Sequence, residues 1–169
     1  MKTPINIFYM LLFIVSTIAT SAQNTSKEAA LNPTFNAYFA VKEALVQTDA
    51  KTTATKAKDL LTAMNAVKMG ALSTIAHKAW MKTMKDLKAD TDKIASTNDI
   101  KKQRSAFTSL STNMYTLMKT TESKTPVYYQ YCPMANNGKG GTWLSTDKAI
   151  KNPYFGSQML SCGSIKETL

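Results

Sequence analysis

The chain reads as a mainly α protein: an antiparallel four-helix bundle over residues 33–121, followed by a small irregular C-terminal cap at 123–169 with room for a short β-hairpin. Three observations predict this. Apolar residues recur at spacings of three, four and seven up to Thr120, the period of amphipathic helices. From Ser123 onward the composition shifts to Pro, Gly, Asn and aromatic residues. The helical stretches are joined by short polar turns, which set neighbouring helices antiparallel.

The elements follow in order. Asn32-Pro33 has the form of an N-cap followed by proline at the first helical position, and Phe35, Tyr38, Phe39, Val41, Ala44 and Leu45 continue at helical spacing. A second helix fits residues 50–68, with Ala54, Ala57, Leu60, Leu61, Met64 and Val67 on its apolar side. A third begins near Gly70 and carries Leu72, Ile75, Ala76, Ala79, Trp80, Leu87 and Ile94. A fourth runs from Asn98 to Thr120, with Ile100, Phe107, Leu110, Met114, Leu117 and Met118 on one face. Met64, Met69, Met114 and Met118 fall at core spacing and are read as packing residues, since methionine fills irregular gaps. Pro126 stops the helical pattern. Val127, Tyr128, Tyr129 and Tyr131 have strand character, Asn136 to Gly141 make a turn, and Thr142, Trp143 and Leu144 return as a second short strand. Ser164–Leu169 is too short to assign.

The N-terminus predicts export. Lys2 precedes an apolar run from Ile5 to Ile18, then the small residues Ala19, Thr20, Ser21 and Ala22. That is the pattern of a signal peptide over residues 1–22 with cleavage after Ala22, and the run is too short for a comfortable membrane span. The expected mature chain, 23–169, is one domain in the periplasm or secreted, with no integral membrane span. The whole sequence has 21 Lys+Arg against 11 Asp+Glu, a formal net charge of +10. Arg104 is the only arginine. Base and phosphate recognition leans on arginine's planar fork, so nucleic acid is excluded as a partner, and the lysines read mostly as a solvated face. No Ser/His/Asp set, no phosphate-cradling glycine loop and no Cys-x-x-Cys is present, which argues against an enzyme.

The distinctive chemistry lies in the last forty residues. Cys132 and Met134 form a Cys-x-Met pair, and Met159 and Cys162 a Met-x-x-Cys pair. Two thiols and two thioethers are soft donors that select Cu(I), or Ag(I), over hard cations. The competing reading is a structural disulfide between Cys132 and Cys162. It would close a loop of about thirty residues and stabilise by roughly 3–4 kcal/mol. A thiol pair close enough to share a metal is also close enough to oxidise, so the two readings describe one site in two redox states. Zinc fits poorly, because the segment offers two cysteines and no histidine. His77, the only histidine, reads as a helix-surface residue, or as an extra ligand if the cap folds across the third helix. Arg104, on the apolar side of the fourth helix, either anchors the cap through carbonyls or an acid, or packs its stem and reaches water. Trp143 and the tyrosines of 128–131 are read as packing the cap onto the bundle.

The run CPMA (132–135), WLS (143–145), NPYFG (152–156), Met159 and Cys162-Gly163 resembles a domain family of unknown function. Its members are stand-alone secreted proteins of Gram-negative bacteria, or are fused to periplasmic adaptor subunits of copper/silver-type heavy-metal efflux pumps. Gln103, Arg104, Phe107, Leu110 and Ser111 match the family's helical half. The resemblance implies a periplasmic address, a link to copper handling, and an efflux-pump component or another envelope protein as partner. The alternative function is a non-metal structural or interaction module of the cell envelope, stapled by the Cys132–Cys162 disulfide.

Overall fold

The computed structural model describes residues 29–121 and 125–169. The expected signal peptide and its cleavage point lie outside the described residues. Four long helices pack together: α1 (Asn32–Val46), α2 (Ala50–Asn65), α3 (Thr74–Ala95) and α4 (Ile100–Met118). Among the described residues no helix is long and apolar enough to cross a membrane.

The helix starts are written in short polar side chains. Asp49 accepts from the Thr52 backbone N–H at 2.9 Å and the Thr52 hydroxyl at 2.7 Å, capping α2. Ser73 caps α3 through the Ala76 N–H, and Asp99 caps α4 through the N–H groups of Lys101 and Lys102. Two expected starts shift. Asn32 makes no capping bond: α1 follows a 3₁₀ turn, Ala29–Leu31, with Leu31 at the cap position and Pro33 in the first turn. The third helix starts at Thr74 rather than near Gly70, because Met69–Ala71 forms a separate 3₁₀ turn and Ser73 supplies the cap.

The core is continuous from bundle to cap, running from Leu45, Leu60, Trp80, Leu87 and Phe107 to Cys132, Trp143 and Tyr154. Ile75, read as part of the third helix's apolar face, is 69 % exposed. Lys42 departs from the lysine pattern in the other direction. It lies one turn after Tyr38, is 1 % exposed, and its ammonium bonds the Glu43 carboxylate, with Ser145 Oγ at 3.5 Å. A buried ammonium needs such partners.

The cap is more regular than expected. It is a three-stranded antiparallel sheet, β1 (Tyr128–Cys132), β2 (Gly141–Ser145) and β3 (Ser164–Thr168), in the order β2-β1-β3. The hairpin β1–β2 pairs Gln130 with Trp143 and Cys132 with Gly141. The segment left unassigned, Ser164–Leu169, supplies β3, and Val127 and Leu169 exchange both backbone bonds. A strand with so little local signal exists because β1 offers its free edge. Side chains fasten it to α4. The Tyr115 hydroxyl donates to Glu167, Lys119 pairs with Glu167 at 2.9 Å, and the Tyr115 and Tyr129 rings stack at 3.9 Å.

Two contacts seat the sheet on the helices. The buried Tyr38 hydroxyl shares a 2.7 Å hydrogen bond with Ser111 Oγ on α4 and accepts from the Leu144 N–H on β2 at 3.0 Å. One oxygen thus joins α1, α4 and the cap, while its ring stacks on Phe107. Tyr38→Phe keeps the ring but strands a buried N–H, and should cost about 1–3 kcal/mol. Urea unfolding with an unchanged slope would measure the loss, and an unaltered midpoint would show that the hydroxyl is dispensable.

Glu167's carboxyl is held below the usual range, first by the hydrogen bond from Tyr115 and then by Lys119. A depressed carboxylate contributes stability that is present above the unfolded value of about 4.3, and that is lost as pH falls through the lowered folded value. The stability advantage of wild type over Glu167→Gln should therefore be fullest at neutral pH and disappear on acidification. An advantage that grows in acid would contradict this assignment.

Candidate functional site: a cysteine pair held by the 152–163 loop

Cys132 ends β1 with its side chain fully buried. Cys162 arrives from thirty residues away on a half-buried turn, and its Sγ lies 2.8 Å from Cys132 Sγ. The placement of Cys162 is built by Asn152. This buried amide donates Nδ2–H to the Cys162 carbonyl at 2.8 Å and accepts from the Tyr154 N–H at 2.8 Å, while the Asn152 N–H donates to Leu160 O. Asn152-Pro153 is visible in the sequence as a turn signal, but nothing there shows the asparagine closing a loop onto a cysteine. The Cys162 N–H donates to the Met159 carbonyl at 3.1 Å, tightening the last turn.

Arg104 holds the other end of that loop. Its Nε donates to Pro153 O at 2.8 Å, and Nη2 to Leu45 O at 3.2 Å and Thr48 Oγ1 at 3.0 Å. One guanidinium therefore links α4, the α1–α2 corner and the cap. Burial lowers its pKa, though arginine stays charged. Its sequence neighbour Gln103 does the same for the bundle, donating Nε2–H to Ala50 O and Thr97 O at 2.9 and 2.7 Å. Gly156 sits in the same corner with φ +58, and a Cβ there would come 2.3 Å from Thr48 Oγ1 and 2.9 Å from Arg104 Nη2. Trp143 is fully buried beneath the cysteine turn: a Cβ on Gly163 would meet its ring at 2.9 Å. Its ring packs edge-on against Tyr154, whose hydroxyl donates to Thr142 O.

The four sulfur-bearing residues are not equivalent. The thiols converge. Met134 is 55 % exposed and lines a groove of about 1310 Å³ between α4 and the turn at Asn136 and Asn137, both left-handed. Met159 is half-buried and contributes its carbonyl to the turn. His77 is exposed on α3, and among the described residues no group of three or more His, Cys, Asp or Glu gathers around a metal-sized space. The cap packs on α4 and α1, so the folding of the cap across α3 that would have recruited His77 does not occur.

The separation of the thiols bears on what they can hold. Two thiolates bound at about 2.3 Å in a tetrahedral centre lie roughly 3.8 Å apart. At 2.8 Å the pair is tighter than a shared ion would keep it and closer to a covalent bridge. Cys162 is half-buried, whereas Cys132 is fully buried on its strand. Cys132 beside it, and then burial, push the Cys162 thiol above its ordinary value, so the Cys162 thiolate is favoured by rising pH.

If this corner sets the cysteine geometry, Gly156→Ala should disturb it from a distance. Left-handed backbone and steric overlap together should cost at least about 2 kcal/mol. Rates of thiol alkylation should rise as Cys162 is released. Unchanged stability and alkylation in the alanine variant would separate the corner from the thiols.

A family profile matches residues 34–125, covering the bundle and ending before the cysteine-bearing cap. No curated protein and no solved structure matches the chain. The chain therefore belongs to the family described as "Protein of unknown function (DUF3347)".

Proposed function

We propose that this chain is an exported envelope protein whose working element is the Cys132–Cys162 thiol pair, a soft-metal site of the Cu(I) or Ag(I) class linked to heavy-metal handling. The observation that supports it most is that the fold brings the chain's two cysteines, thirty residues apart, together on a partly open turn. The donors are soft, and no hard-cation or tetrahedral zinc set accompanies them among the described residues. The two thiols fit such an ion once their sulfurs part to the wider spacing it needs. Met134 lines the groove and Met159 is half-buried in the turn, so in this reading the two thiols carry the site. A periplasmic address and an efflux-pump partner rest on the leader-like N-terminus and the resemblance of the CPMA to Cys162-Gly163 run.

The same pair supports a second state. With an external disulfide as oxidant, two thiols lose two protons and two electrons and close as a Cys132–Cys162 bridge. The 2.8 Å approach favours that state in oxidising surroundings. The bridge would staple β1 to the 152–163 loop and leave the bundle as an interaction module.

Competition against a Cu(I) chelator tests the reading. The reduced chain should hold Cu(I), Cys132→Ser with Cys162→Ser should abolish binding, and Met134→Leu should leave it unchanged. Affinity should fall as pH drops, because the thiols must ionise. Wild type competing no better than the double-serine variant would remove the metal function, and thiol counting on the isolated protein would then establish the bridge as the native state.

A further inference from the structure

The charge of the bundle is unevenly spread. Between Asp59 and Asp86 the chain has no acidic residue, yet it carries Lys68, Lys78, Lys82 and Lys85, all exposed. None of the four makes an ion pair among the described residues. Among the described residues, three of the five large exposed apolar side chains fall in the same stretch: Met69 (49 %), Ile75 (69 %) and Met81 (52 %). At about 100° per residue, Met81, Lys85, Lys78, Lys82 and Ile75 share roughly 120° of the α3 circumference. Met69 joins them from the 3₁₀ turn that leads into α3. The acids of α3, Asp86, Asp90 and Asp92, all lie in its C-terminal half.

We propose that the outer face of the N-terminal half of α3, with Met69, docks on an anionic lipid surface. Lysine ammoniums would meet the headgroups while the methionine and isoleucine side chains enter the headgroup boundary. The composition favours lipid over an acidic protein. Protein interfaces are depleted in lysine and enriched in arginine, aromatic residues and methionine, and this face sets three lysines among Thr74, Ile75 and Met81 with no arginine and no aromatic residue. The cap packs on α4 and α1, so docking through α3 would leave the cysteine pair open to solution.

Flotation with phosphatidylglycerol-containing vesicles, against pure phosphatidylcholine vesicles, tests this. The described core lies within residues 29–169, so the chain is produced from Gln23 onward, which keeps the apolar run 5–18 out of the measurement. Binding should require the anionic lipid and weaken with salt. Neutralising Lys78, Lys82 and Lys85 to Gln should weaken partition by about a hundredfold, near fivefold per lysine. Neutralising the exposed Lys102, Lys139 and Lys148, at equal net charge, should change it far less. Ile75→Ser with Met81→Ser should remove the salt-resistant part of binding, and circular dichroism would confirm that helicity is retained. Equal losses from the two lysine triplets, or equal binding to both kinds of vesicle, would overturn the proposal. So would no binding at all, which would leave an acidic protein as the counterpart of this face.

Discussion

The cap exists as a structure only because it is seated on α1 and α4. Three strands of five residues cannot bury enough surface to stand alone. Their apolar face is completed by Tyr38 and Phe107, and their position is fixed where the Tyr38 hydroxyl meets both Ser111 and the Leu144 N–H. Arg104 repeats the arrangement at the loop, with one side chain donating to the Leu45 carbonyl of α1, the Thr48 hydroxyl at the α1–α2 corner and the Pro153 carbonyl of the cap. The polar residues on the inner face of α4 thus act as sockets, and their partners come from segments remote in sequence.

The chemistry of the cysteine pair follows from that seating. Cys132 ends a paired strand in the core, and Cys162 lies on a half-buried turn. The turn carrying Cys162 is held through Asn152, and the start of its loop through Arg104. The hydrogen bond with Cys132 favours the protonated form of Cys162, which couples the use of that thiol to pH.

The molecule keeps its sulfur chemistry and its lysine-rich, apolar-studded surface on different helices. The cap covers α4 and α1, while the acid-free stretch runs from the end of α2 into α3. Lys42 shows the contrast within a single residue type: buried against Glu43 and Ser145, it serves the junction with the cap rather than the surface charge.

Helical periodicity and the turn at Asn136–Gly141 are local properties. They were legible in the sequence because each depends on residues within one or two turns of chain. The soft-donor character of Cys132 and Cys162 was legible as well, since it belongs to the residue types. What the sequence could not show is which sulfurs meet. Met134 and Met159 flank the cysteines at suggestive spacings, yet their exposure depends on how the turn after β1 and the 152–163 loop pack on α4. The strand at Ser164–Thr168, the closing role of Asn152, the burial of Lys42 and the exposure of Ile75 were likewise hidden, because each depends on a partner dozens of residues away or on the absence of one. By itself the sequence determined four amphipathic helices and a cysteine-bearing tail. Only the tertiary structure decided that two of the four sulfur donors form a pair, because burial and hydrogen-bond partners at that place come from α1 and α4, not from the motif.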